Sequence, residues 1–141
     1  MKSKITHRAK KRILIVEDEL ITAMDLSKML EKLGFVVAET VVTGEAAVER
    51  VKDIRPDLIL MDIFLGNHMD GIEATQHIVK ENDIPVIFLT ANANVATIKR
   101  ADSVKHYGYL IKPVKSHDLG SLINTAIQRH RMEKSRSDST L

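Results

Sequence analysis

The chain has 141 residues, of which 44% are hydrophobic and 28% charged, with no cysteine and a net charge of +2. This length and composition predict one globular domain with a sizeable core, and they exclude disulfides, thiol chemistry and cysteine-based zinc sites. No apolar run has the length of a membrane span, and no signal-peptide stretch follows the basic N-terminus. We therefore expect a cytoplasmic protein without a membrane partner.

The charge is divided between the ends and the body of the chain. Residues 1–12 carry six lysines and arginines and no acid, whereas residues 13–128 have a net charge of −6. A basic arm can bind nucleic acid, but no aromatic residue interleaves these charges to stack on bases, so a solvated arm is favoured. We expect three segments, which are a flexible basic arm over 1–11, a folded domain over 12–131 and a polar tail over 132–141.

Short apolar runs alternate with amphipathic stretches five times along the chain. The β-branched apolar runs are typical of strands buried on both faces, and apolar residues at i, i+3, i+4 and i+7 are typical of helices. In chain order, the predicted elements are a strand at 13–16, a helix over 26–33 ended by Gly34, a strand at 35–41, a helix at 44–54, a strand at 58–61, a helix from about 70, a strand at 85–89, a helix at 94–104, a strand at 109–111 and a helix through 119–127.

Five strand–helix units predict an α/β fold of the flavodoxin-like type, a three-layer (βα)5 arrangement with helices on both faces of a parallel sheet. The expected strand order is 2-1-3-4-5. In this topology the ligand crevice lies at the carboxyl ends of strands 1 and 3.

Polar side chains follow four of the predicted strands: Glu17 and Asp18 the first, Asp62 the third, Thr90 the fourth and Lys112 the fifth. Because the carboxyl ends of parallel strands share one edge of the sheet, we expect these side chains to converge. Clustered carboxylates repel one another, and Mg²⁺ relieves this repulsion by binding a few carboxylates. Asp62 would then be a carboxylate nucleophile for a phosphoryl group, with Lys112 neutralising charge and Thr90 donating a hydrogen bond.

Each of these residues also has a structural interpretation when it is taken alone. Acids after a strand are often helix caps or first-turn residues that favour the helix dipole, and Asp, Thr and Lys-Pro are common in turns. Compatible chemistry at all four strand ends favours the chemical site over four separate structural roles.

Over residues 12–131 the chain resembles the receiver domain of two-component response regulators. The following residues carry the resemblance, in order and approximate spacing: Glu17-Asp18, Asp62, Met69-Asp70-Gly71, Thr90, Tyr109 and Lys112-Pro113. The resemblance implies a stand-alone, chemotaxis-type phosphorelay switch rather than an enzyme, one that assists only its own phosphotransfer and dephosphorylation. It implies that a sensor histidine kinase is the phosphodonor and that an unknown downstream protein is the target.

The resemblance also implies a role for each site residue. These roles are Mg²⁺ binding by Glu17, Asp18, Asp62 and the backbone carbonyl of Phe64; phosphoacceptance by Asp62 with Thr90 and Lys112; switching by Thr90 and Tyr109; and tuning of dephosphorylation by Phe64 and Asn92. It further implies a cis peptide before Pro113. The signalling surface would be helix 4, strand 5 and helix 5, and a homodimer through that surface is left open.

The chain departs from the family pattern in the loop after Asp62, which is about one residue longer and lacks the usual proline. Asn67 and His68 in this loop are candidates for contact with the site. The bulky Phe64 would obstruct attacking water, which predicts a long-lived phosphoryl group. Lys105-His106 replaces the small pair that usually precedes the fifth strand, so the partner's identity cannot be transferred.

Four other interpretations are left open. A Mg²⁺-dependent phosphoesterase or nuclease of Toprim type needs Asp-x-Asp where this chain has Asp62-Ile63-Phe64, and a nucleotide-binding module needs a glycine-rich loop that is missing. A nucleic-acid-binding regulator would act through the basic arm, although residues 1–12 contain no helix-turn-helix pattern. The chain is also compatible with a fragment of a larger hybrid kinase or multidomain regulator.

Overall fold

The structure is a computed structural model that describes residues 9–66 and 68–139. Strands and helices alternate along these residues in the following order: β1 Arg12–Val16, α1 Leu20–Lys32, β2 Val36–Val41, α2 Gly44–Ile54, β3 Leu58–Asp62, α3 Gly71–Glu81, β4 Val86–Thr90, α4 Val95–Ala101, β5 Tyr109–Ile111 and α5 Ser116–Ser139. All strands are parallel in one sheet with the order β2-β1-β3-β4-β5, which confirms the predicted fold and strand order.

The sheet is covered on both faces because successive residues of its central strands point to opposite sides. In β1, Ile13 and Ile15 pack into a core cluster with residues of α1 and α5. Leu14 and Val16 pack into a second cluster, built mainly with α2 and α3. β1, β3 and β4 are almost wholly apolar and buried, as strands between two helical layers must be.

Three helices differ from their predicted lengths. α1 begins earlier than predicted, at Leu20. α4 is shorter, since Asn94 caps its start by accepting a hydrogen bond from Thr97 N and the chain turns at Asp102 and Ser103. α5 is longer and runs past residue 131, the predicted end of the domain, because its last turns make side-chain contacts with the amino end of the sheet. The division into arm, domain and tail stays a prediction, and residues 1–8 of the arm lie outside the described residues.

The start of α3 is held directly against the end of β3. Asp70 caps α3 by accepting a hydrogen bond from Glu73 N, and the Glu73 side chain accepts one from Asp70 N. Gly71 N donates to Ile63 O at 2.9 Å, and a Cβ at Gly71 would overlap the backbone carbonyl group of Asp62. Glycine is therefore required here by close backbone packing behind the predicted site. Within the described ranges, no helix has the length and apolar character needed to cross a membrane.

Candidate functional site

Three carboxylates meet at the carboxyl ends of β1 and β3. Glu17 and Asp18 follow β1 and Asp62 ends β3, and one carboxylate oxygen of each lies within 4.8 Å of the others. Glu17 and Asp62 are buried, at 1% and 3% exposure, whereas Asp18 is exposed. The parallel sheet therefore brings the predicted acids together at one edge.

Lys112 reaches the same cluster from the end of β5. Its Nζ lies 2.7 Å from Glu17 Oε1, 3.2 Å from Asp62 Oδ2 and 3.7 Å from Glu19 Oε1. Its backbone N donates to Thr90 O at 2.8 Å, which fixes the chain after β5 to the end of β4, and the Lys112-Pro113 peptide is cis. The ammonium group thus partly balances a cluster of like charges.

The electrostatics of the cluster follow from burial and from these close charges. Burial, together with the hydrogen bond and negative charge of Glu17, raises the pKa of Asp62 from 3.8 to about 7, against the opposing effect of Lys112. Burial lowers the pKa of Lys112, but Glu17 and Asp62 outweigh this effect and raise it overall. Without a further cation, Asp62 is therefore only partly ionised near neutral pH.

Backbone amides orient each of the three acids. Glu17 Oε2 accepts from Glu19 N at 3.2 Å, Asp62 Oδ1 accepts from Phe64 N at 3.2 Å, and Asp18 Oδ2 accepts from Gly66 N at 3.0 Å. Each carboxylate has two oxygens, so this contact leaves the second oxygen of each acid for other partners. For Glu17 and Asp62, Lys112 is one such partner.

The remaining oxygens fit a hard divalent cation. Among the described residues, Glu17 Oε1 is buried and makes no hydrogen bond of good geometry, although the Lys112 ammonium group lies beside it. A buried carboxylate oxygen that faces two further acids is the type of ligand set that Mg²⁺ prefers. The side chains present therefore fit the predicted metal.

None of the contacts described above involves the side chain of another predicted site residue. Thr90 is fully buried, and its hydroxyl donates to Asn92 O at 2.8 Å and accepts from Asn92 N at 3.1 Å. Tyr109 and Phe64 are 39% and 50% exposed. The Thr90 hydroxyl is thus engaged by Asn92, and the switch and tuning roles stay predictions.

Sequence reasoning missed two contributors to this site. Glu19 belongs to the acidic run after β1, but its proximity to Lys112 depends on the position of a residue far along the chain. Gly66 contributes a backbone N–H, and the only signal in the sequence is the absence of proline from the loop. Of the two loop candidates, His68 is exposed and Asn67 lies outside the described residues.

Comparisons with known proteins agree with this fold. The response regulator receiver domain family matches residues 13–124. The chain is 30% identical over 115 residues to the chemotaxis protein CheY of Thermotoga maritima, which covers 81% of this chain and 95% of that protein. It therefore belongs to the response regulator receiver family.

Two further relatives show the range of proteins that contain similar domains. The chain is 35% identical to the transcriptional regulatory protein PdtaR of Mycobacterium tuberculosis over 86% of this chain, but it spans only 58% of that protein's length. The receiver domain of the sensor histidine kinase PA1611 from Pseudomonas aeruginosa is 35% identical, with a TM-score of 0.78 and coverage of 85% of this chain and 99% of that one. That structure has a magnesium ion coordinated in its active site cleft.

Proposed function

We propose that this receiver domain accepts a phosphoryl group on Asp62 in a Mg²⁺-dependent reaction and so acts as a signalling switch. One observation carries the proposal: the buried carboxylate of Asp62 lies within 4.8 Å of Glu17 and Asp18 and 3.2 Å from the Lys112 ammonium group. This arrangement places a nucleophile, two further acidic ligands and a fixed cation around one space.

The chemistry is carried by Asp62 and Lys112. An Asp62 oxygen attacks phosphorus, a P–O bond forms, the P–N bond of a phosphohistidine donor breaks, and its electron pair leaves with the imidazole. Lys112 neutralises negative charge on the transferred group. Bound Mg²⁺, held by Glu17, Asp18, Asp62 and the Phe64 carbonyl, would supply the positive charge that keeps Asp62 ionised and attracts the phosphoryl oxygens.

The product would change the local hydrogen bonding. An aspartyl phosphate adds oxygens that accept a hydrogen bond from the Thr90 hydroxyl, which would then leave Asn92. In this proposal Tyr109 turns inward as Thr90 moves, and the surface of α4, β5 and α5 changes its affinity for a downstream protein or a second copy of the chain. Phe64 and Asn92 would set how fast water removes the phosphoryl group.

In this proposal a sensor histidine kinase is the phosphodonor. The transfer takes place in the cytoplasm, where the kinase reaches the acidic cluster. The downstream partner follows from neither the fold nor the pocket, because receivers of this fold occur in proteins as different as a chemotaxis protein and a transcriptional regulator.

Phosphoryl labelling tests the proposed function. The protein is incubated with a small phosphodonor, with and without MgCl2, and its intact mass is measured. We expect an adduct of one phosphoryl group that is labile in base, requires Mg²⁺ and is lost in Asp62→Asn. Asp53→Asn, which changes an exposed acid on α2, should label like the wild type. Labelling that persists in Asp62→Asn or without divalent metal would contradict the assignment.

A further inference from the structure

The loop between β3 and α3 makes a contact with the acidic cluster that a proline in the same place would prevent. Gly66 N donates to Asp18 Oδ2 at 3.0 Å, across 48 positions of sequence. Proline has no N–H to donate. The loop in this chain is proline-free, so the donor is available.

We propose that Gly66 is a positioning residue for Asp18 and that it favours Mg²⁺ over Ca²⁺ at the cluster. The inference rests on the proposed metal site and extends it to a residue that does not itself bind the ion. The contact holds one oxygen of Asp18 and leaves the other free to coordinate.

Asp18 depends on this contact more than the other two acids depend on theirs. Glu17 and Asp62 are buried and lie beside Lys112, so their side chains are confined by packing and charge as well as by a backbone amide. Asp18 is exposed, and an exposed side chain retains rotamer freedom unless a specific contact removes it. The Gly66 amide supplies that contact.

The space around Gly66 is also tight for a side chain. A Cβ at this position would lie 3.1 Å from Asp18 Oδ2, which is tight enough to displace the carboxylate by a small distance. The φ angle of Gly66 lies outside the left-handed region, so alanine would not strain the backbone. Gly66→Ala therefore changes the position of Asp18 while it keeps the N–H donor.

The two metals respond differently to a displaced ligand. Mg²⁺ demands nearly octahedral geometry with oxygens at about 2.1 Å, whereas Ca²⁺ accepts longer and more variable distances of about 2.3–2.6 Å. A small displacement of Asp18 should therefore weaken Mg²⁺ binding more than Ca²⁺ binding. A purely structural role for Gly66 would change both affinities equally.

The test compares Mg²⁺ and Ca²⁺ affinities by amide chemical-shift titration of the full chain. The variants are Gly66→Ala, Gly66→Pro and the control His77→Ala, which alters an exposed residue of α3. We expect Gly66→Ala to weaken Mg²⁺ binding about threefold and Ca²⁺ binding less, because only Mg²⁺ is strict about geometry. Gly66→Pro should weaken Mg²⁺ binding about tenfold, the scale typical of a lost partner of a metal ligand. His77→Ala should match the wild type.

The outcomes separate this inference from the proposed function. If the wild type binds Mg²⁺ at Glu17, Asp18 and Asp62 but Gly66→Ala keeps its ratio of Mg²⁺ to Ca²⁺ affinity, the positioning role is wrong and the metal site stands. If the wild type shows no Mg²⁺-dependent shifts at these residues, both proposals are wrong. Circular dichroism of each variant shows whether it is folded, and if Gly66→Pro is unfolded, Gly66→Ala alone decides the question.

Discussion

The two ends of the same sheet use charged side chains in opposite ways. At the carboxyl end, Glu17 and Asp62 are buried against each other, and the pKa of Asp62 is raised to about 7. At the amino end, the Tyr107 hydroxyl donates to Glu133 at 2.6 Å, and this hydrogen bond lowers the pKa of Glu133. The carboxyl end places like charges together, whereas at the amino end the acid Glu133 accepts a hydrogen bond.

Other contacts at the amino end also pair donors with acceptors. Arg12, at the start of β1, donates from its backbone N to Asp57 at 2.7 Å and from its guanidinium to Ile54 O at 2.6 Å. His130 Nε2, on the extended part of α5, lies 2.8 Å from Asp83 Oδ1, just before β4. These pairs join chain segments and tie the end of α5 to the sheet.

The difference shows where the fold accepts a loss of stability. A buried cluster of acids opposes folding unless it is protonated or neutralised, whereas paired donors and acceptors support folding directly. The carboxyl end therefore has the character of a charged cluster that a cation would stabilise, and the amino end that of a structural anchor.

The largest expected effect concerns backbone packing behind the acidic cluster. We expect Gly71→Ala to lower the free energy of unfolding by roughly 3 kcal/mol, because its Cβ would overlap the Asp62 carbonyl and displace the start of α3. Urea unfolding followed by circular dichroism measures the change. The control is Gly120→Ala in α5, whose Cβ would meet only the end of the Leu33 side chain at 3.3 Å. It should stay within about 1 kcal/mol of the wild type, and equal losses in both variants would contradict the prediction.

The second effect is a gain in stability on removing the charge of Asp62. Between the unfolded pKa of 3.8 and the folded value of about 7, the folded state binds more protons, so the metal-free wild type loses stability as pH rises through this window. We expect Asp62→Asn to be more stable than the wild type at pH 8 by roughly 1–3 kcal/mol, since one pKa unit corresponds to about 1.4 kcal/mol and solvent at the rim reduces the full value. Urea unfolding at pH 4 to 8 in EDTA measures this. If the free energy of unfolding of Asp62→Asn fell with pH as steeply as that of the wild type, repulsion between the buried Asp62 and Glu17 would be refuted.

The smallest expected effect is at the amino end of the sheet, where a substitution lowers stability instead of raising it as Asp62→Asn does. Tyr107→Phe removes one hydrogen bond and should cost about 1 kcal/mol. Because the pKa of Glu133 is lowered in the folded state, its contribution is present at neutral pH and is lost as pH falls through the folded value. Unfolding of Tyr107→Phe, Glu133→Gln and the double variant measures the coupling. Independent, additive effects of the two substitutions would contradict a stabilising contact between Tyr107 and Glu133.

Local patterns in the sequence predicted most of the fold and the centre of the site. β-branched runs and helical periodicity located the strands, and the parallel topology then brought Glu17, Asp18, Asp62 and Lys112 together. What local patterns could not predict depends on distant contacts. α5 continues past residue 131, where Glu133 accepts a hydrogen bond from Tyr107, and Gly66 donates to a residue 48 positions away.

We infer that the buried acids at the carboxyl end of the sheet lower the free energy of unfolding and that a bound divalent cation raises it again. The most direct test is the free energy of unfolding at pH 8 as MgCl2 is raised from zero to 10 mM. We predict that stability rises by RT ln(1 + [Mg²⁺]/Kd) in the wild type and equally in Tyr107→Phe, and that the rise is much smaller in Asp62→Asn. A wild type that is insensitive to Mg²⁺, or an Asp62→Asn variant with the full response, would contradict the claim.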